Sequence, residues 1–138
     1  MKTSFDIEQS LFKALNVSAV KNAIDGGIYL GDTRPVDSCC EDITINTITI
    51  SQDTSPQTAT SNINIHVPDI VVKLDDGRIN KIADRVRLKA IATKVLSQLR
   101  STKFAGMKCV PMMLTTIQEP SINQHYINIR CDWNIQID

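Results

Sequence analysis

His125-Tyr126-Ile127-Asn128-Ile129-Arg130-Cys131-Asp132-Trp133-Asn134-Ile135-Gln136-Ile137-Asp138 closes the chain and alternates without a break. His125, Ile127, Ile129, Cys131, Trp133, Ile135 and Ile137 point one way, and the intervening polar residues, with Tyr126, point the other. That is the period of a strand with one dry face. At about 3.3 Å of rise per residue it would run roughly 45 Å, well past the five or six residues of an ordinary strand. A dry face of that length should outrun its own core, so the stretch from Trp133 to Ile137 is expected to be covered by a neighbouring subunit.

Working back from this strand, Glu119-Pro120-Ser121 reads as a turn. Met107 to Gln118 reads as a strand that Pro111 confines to an edge or a bulge. Asp75-Asp76-Gly77 is a second turn, followed by a helix predicted from about Ile79 to Arg100. Two apolar stripes are expected on that helix: Ile79, Ile82, Ala83, Val86 and Ala90 on one side, Leu88, Ile91, Val95 and Leu99 on another. Two stripes call for two packing partners, the sheet and either the N-terminal helix or a neighbouring subunit.

Further upstream, Ser61 to Val67 alternates until Pro68 stops the ladder, and the polar linker Gln52 to Ala59 predicts a hairpin loop. In EDITINTITIS the isoleucines change phase between the pair Ile43 and Ile45 and the pair Ile48 and Ile50. A bulge near Asn46 and Thr47 would return both pairs to one face. The N-terminus reads as a helix from about Phe5, with Ile7, Leu11, Phe12 and Leu15 on one stripe. A short second helix capped by Ser18 is ended by Asp25-Gly26-Gly27, then comes a strand at Ile28 to Leu30 and an irregular connection from Gly31 to Glu41.

These elements predict a single α+β domain over residues 1–138, a mostly antiparallel, curled sheet of about four to five strands with helices packed on one face. The chain has 138 residues, 42% of them hydrophobic and 22% charged, which suits one globular domain with its own core. No apolar stretch serves as a signal-peptide core or approaches the ~20 residues of a membrane span, so a cytoplasmic protein with no membrane partner is expected. Cys39 and Cys40 are adjacent, Cys109 is isolated and Cys131 lies on the dry face. Without zinc spacing or a CxxC pair they read as ordinary thiols, with no metal and no cofactor.

The 15 basic and 15 acidic residues balance, but not locally. Arg78, Lys81, Arg85, Arg87, Lys89, Lys94, Arg100 and Lys103 face Asp84 alone, while Asp25, Asp32, Asp37, Glu41 and Asp42 belong to the compensating acidic remainder. Two unlike surfaces of this kind suit head-to-tail contact between copies. A solvated helix face serving solubility is the plainer alternative. Non-specific contact with nucleic acid is another, although aromatic residues make up only 4% of the chain and no stacking platform is apparent. Catalysis finds no support in the pattern. His66, alternating opposite Ile65 and Val67, is expected to face solvent or a partner, and no nucleophile elbow, phosphate loop or paired histidine ligands occur.

The succession Asp25-Gly26-Gly27-Ile28-Tyr29, Arg34-Pro35, Glu41-Asp42-Ile43-Thr44-Ile45, Asn62-Ile63-Asn64-Ile65-His66-Val67-Pro68, a long helix, then Gln124-His125-Tyr126-Ile127-Asn128-Ile129-Arg130 resembles the tail-terminator or tail-completion proteins of phages and prophages. The likeness runs over most of the chain on short motifs. It implies a non-enzymatic ring, commonly a hexamer, that caps the tail tube and meets the tube and head-connector proteins. It further implies assembly in the bacterial cytoplasm and a place in the virion tail, with non-specific DNA contact conceivable in the channel. The candidate subunit or partner contacts are Arg78, Lys81, Arg85, Arg87 and Lys89 on the basic segment, and Asn128, Arg130, Asp132, Trp133, Ile135 and Ile137 on the last strand.

Overall fold

Local chemistry sets the first element. Thr3 and Asp6 cap each other's backbone amides in a reciprocal box, starting α1 at Ser4–Leu15, and Ile7, Leu11, Ala14 and Leu15 form its buried stripe. A computed structural model of the chain, describing residues 1–53 and 55–136, adds α2 at Ser18–Lys21, β1 at Ile28–Leu30, β2 at Asp42–Ile50, β3 at Gln57–Pro68, β4 at Ile70–Lys73 and β5 at Ile79–Ile82. It continues with α3 at Arg85–Ser101, β6 at Met107–Glu119, a single 3-10 turn at Pro120–Ile122 and β7 at Gln124–Ile135. Val17 rather than Ser18 precedes the first residue of α2.

Five strands form one sheet in the order β1-β2-β3-β7-β6, and β4 pairs only with β5 in a separate hairpin. The fold is α+β as expected, but the sheet is mixed and open. β1 runs parallel to β2 because the connection Gly31 to Glu41 carries the chain back to the starting end before β2 begins, where a tight hairpin would have reversed it. The sheet keeps two free edges, β1 and β6, rather than curling closed.

β7 is central, which overturns the expectation drawn from its length. It pairs with β3 from Gln57↔Ile135 to Pro68↔Gln124 and with β6 from Met107↔Ile135 to Glu119↔Gln124. Both neighbours are as long as β7 is, so no part of it outruns the sheet. Trp133 and Ile135 are 3% and 1% exposed and belong to the chain's own core. Ile137, the remaining member of that group, lies outside the described residues.

The core sits on one face, where Ile43, Ile45, Ile63, Ile65, Ile127, Ile129, Cys131, Trp133 and Ile135 meet α1 and α3. The bulge in β2 falls between Thr47 and Thr49. It leaves Ile48 as the extra residue, pointing outward, and returns only Ile50 to the core side. β3 begins earlier than the alternation suggested because the buried Gln57 carboxamide is fully used, donating to the carbonyls of Lys2 and Ser51 and accepting from the Lys2 amide.

The segment from Ile79 to Ile82 is a strand, not the start of the long helix. Gly77, at φ 87°, closes a turn with its amide on the Leu74 carbonyl, and β5 then pairs back on β4. The helix starts at Arg85, where the Asp84 side chain caps the Arg87 amide. Ile79, Ile82 and Val86 are exposed, so α3 has one buried stripe, made of Leu88, Ile91, Ala92, Val95 and Leu99.

Candidate assembly surfaces

Tertiary contacts split the basic segment. Arg78 and Lys81 lie on the hairpin, where the Arg78 guanidinium pairs with Asp76 at 2.5 Å, while Arg85 and Lys89 stand exposed on α3. Arg87 points the other way and binds the Glu41 carboxylate through Nε and Nη2, both at 2.7 Å, and the Ala23 carbonyl at 2.6 Å. That fork ties α3 to the chain entering β2, so Arg87 is a structural residue. Its pKa is raised, first by the hydrogen bonds to Glu41.

The acidic counterpart is split as well: Asp25, Asp32 and Asp37 are exposed, whereas the pair entering β2 is buried. Glu41 and Asp42 are 8% and 1% exposed. The Asp42 carboxylate accepts from Arg34 Nε at 2.8 Å, Ser38 Oγ at 2.5 Å and the Gly27 amide at 2.8 Å. Arg34 also donates to Gln124 Oε1, and Gln124 Nε2 donates to the Ser38 carbonyl. Burial works to raise the Asp42 pKa, but the hydroxyl, the amide and the guanidinium outweigh it and hold the carboxyl below its usual value. Asp42 and Gln124 therefore clamp the loop Gly31 to Cys40 over one end of the sheet through its Arg34 and Ser38. Gly26 is needed beside them, because a Cβ there would come within 2.0 Å of Asp42 Oδ1.

That loop also explains why His66 is buried, against expectation. His66 shares a face with Asp42 and Tyr126, its register partners on β2 and β7, and the clamped loop covers that end. The ring lies 5.2 Å from Tyr126, Nε2 is 3.0 Å from Thr44 Oγ1, and Nδ1 lacks a hydrogen-bond partner, with Glu119 Oε1 at 3.5 Å. Burial, then repulsion from Arg34, lowers its pKa from 6.5 to about 4 despite the opposing pull of Asp42. The native state thus favours the neutral ring. Its contribution to stability is fully present above pH 6.5 and is lost as pH falls towards 4. Urea-unfolding midpoints measured from pH 7 to pH 4 should fall by the equivalent of about 3 kcal/mol, and His66→Gln should flatten that slope. An unchanged slope in the variant would assign the acid sensitivity to other groups.

The sheet face opposite the core is polar. Asn128 donates to Asn64 at 2.7 Å, Arg130 lies 3.6 Å from Asp132, and Arg130 and Asn134 are exposed. Of the predicted last-strand contacts, Asn128, Arg130 and Asp132 are therefore accessible to differing degrees, whereas Trp133 and Ile135 are not.

Apolar residues are left uncovered on β6 and on the hairpin, and of these only Ile79 belongs to a stripe for which the sequence predicts a packing partner. On edge strand β6, Met112, Met113, Leu114 and Ile117 are 56%, 59%, 49% and 36% exposed. On the hairpin, Val71 and Ile79 are 62% and 67% exposed, and neither hairpin strand packs substantially on another element. A groove of about 620 Å³ runs between α3 (Leu88, Ala92, Leu96) and the core-facing side of β6 and β7 (Leu114, Thr116, Ile127), with Arg85 and Lys89 at its rim. The run of apolar residues after Pro111 was the available signal, but its exposure depended on which strand lay at the edge.

The groove also contains His125, whose Nδ1 sits 2.6 Å from Asp69 Oδ1. No cysteine or serine lines the groove. The Cys109 thiol is pushed up in pKa, first by its hydrogen bond to Cys131 and then by burial, the reverse of what activates a nucleophile. Among the described residues no group of three His, Cys, Asp or Glu side chains is placed to hold a metal ion, and no helix is long and apolar enough to cross a membrane.

No protein-family model matches this sequence, and no curated protein does. Among solved structures, a chain from the "Virion of native gene transfer agent (GTA) particle" superposes with a TM-score of 0.64 over 95% of both chains at 10% identity. The likeness is one of fold. It covers nearly the whole of each chain, so sheet and helices correspond together rather than as a shared fragment.

Proposed function

We propose that this chain is a structural component of a phage or phage-like particle, a subunit of a ring that completes the tail tube and joins it to the head connector. The observation that carries this reading is the fold shared over 95% of both chains with a chain of a gene transfer agent virion. Support also comes from the type of surface exposed: an apolar edge strand and a projecting apolar hairpin are liabilities in a monomer and contacts in an assembly. Its partners on this reading are further copies of itself, in a ring that is commonly a hexamer in the family it resembles, together with tail-tube and connector proteins.

Negative-stain microscopy of the purified chain, alone and mixed with a phage tail-tube protein, tests the reading. Rings of uniform diameter are expected, free or seated on tube ends. A chain that stays monomeric at high concentration and forms no ring beside the tube protein would overturn it.

A further inference from the structure

β6 leaves one edge of the sheet without a partner, and edges of this kind are normally blunted by charge, proline or a bulge. The first half of β6 has such protection in Lys108, Pro111 and the bulge between Pro111 and Met113. The second half, Met113-Leu114-Thr115-Thr116-Ile117-Gln118, has neither a charged residue nor a proline, and two of its apolar side chains are about half exposed. On its core side this same half borders the groove beneath α3. The geometry is that of a sheet one strand short.

The hairpin has complementary features. An isolated two-stranded hairpin is marginal in water, yet this one stands off the body with apolar residues on both faces. Ile70, Val72 and Ile82 share one face with Asn80. Val71 and Ile79 share the other with Lys73 and Lys81. A strand added at the β6 edge needs this pattern: a largely apolar face, with Asn80 its one polar member, to enter the groove over Leu96 and Leu114, and a mixed face to lie beside Met113 and Ile117 on the open side of the sheet. There Glu119 and Asp132 are partly exposed and can meet the lysines.

We propose that the β4–β5 hairpin of one copy joins the open edge of β6 in a second copy, extending its sheet and closing the groove. This deepens the ring reading and rests on it. Donor and acceptor are different surfaces of one chain, so the contact is head-to-tail, and repeating it closes a ring when the rotation permits.

The test uses two variants of the full chain, an arm variant (Val71→Asp with Ile79→Asp) and an edge variant (Met113→Asp with Ile117→Asp), followed by sedimentation velocity and negative-stain microscopy. The arm substitutions lie at side chains more than half exposed, so the monomer's thermal melting should be unchanged. Each variant alone should need a concentration at least roughly tenfold higher to assemble, and mixed together they should form a one-to-one pair and stop, because only one intact junction is available. Wild-type rings that persist in the arm variant would overturn the hairpin contact and leave the ring reading standing. Loss of association in the edge variant alone would replace the contact by edge-to-edge pairing of two β6 strands. A wild-type chain that self-associates neither alone nor beside a tail-tube protein would overturn both.

Discussion

Replacing Trp133 with alanine is expected to lower the free energy of unfolding by about 3–5 kcal/mol and to leave subunit association of the folded chain unchanged. The indole is 3% exposed and meets Phe104 edge-to-face, with ring centroids 4.9 Å apart and planes at 71°. Its backbone lies between Ala59 on β3 and Cys109 on β6, so no flank is open for the neighbours to collapse into the vacated volume. In a domain of this size the loss corresponds to a melting temperature lower by roughly 10 °C or more. Trp133→Phe should cost much less, because the indole N–H has no hydrogen-bond partner among the described residues and its removal sacrifices no bond. Calorimetry of both variants checks the pair. A Trp133→Ala chain that melts like wild type but fails to associate would return this residue to an interface.

The second large effect concerns Asp42. Asp42→Asn should cost about 3 kcal/mol or more, since it removes the countercharge of Arg34, whose side chain is only 13% exposed, and weakens the anchor for Ser38 and the Gly27 amide. The cost should depend on pH in a defined direction. Asp42 has a lowered pKa in the folded state, so its contribution is present above its ordinary value of 3.8 and disappears as pH falls through the folded value. The gap between wild type and variant should therefore close in acid, below the window in which His66 acts. Limited proteolysis at neutral pH should cut the variant faster between Gly31 and Cys40, the loop that this carboxylate holds down. Equal cleavage of both proteins would show that the Gln124 contacts hold the loop without it.

These two residues also show where sequence reasoning reaches its limit. Trp133 was placed on the correct face by alternation, but its assignment to a subunit boundary depended on β7 outrunning the sheet. Whether it does is decided by the lengths of β3 and β6, and the start of β3 depended on Gln57 finding partners at Lys2 and Ser51. Asp42 reads as surface charge in the sequence because the loop that buries it meets Gln124, distant along the chain. The same loop reversed the expectation for His66. Charge bookkeeping along the chain likewise could not reveal that Arg87 and Glu41 neutralise each other in a pair that ties α3 to the start of β2.

Side-chain period and capping within a few residues suffice for the one-sided core, the faces of β3 and β7, the α1 stripe, the β1 strand and a bulge in β2. Tertiary structure alone decided that β7 is central and β6 an edge, that β1 joins β2 in parallel, and that Ile79 to Ile82 belong to a hairpin rather than to a helix. In so short a window, apolar residues three and four apart satisfy a helix, while pairing across the Asp75-Asp76-Gly77 turn satisfies a strand. Local period cannot choose between them. Exposure has the same limitation: alternation assigns each residue a side of the sheet, but whether that side is covered depends on which strands and loops lie beside it in space.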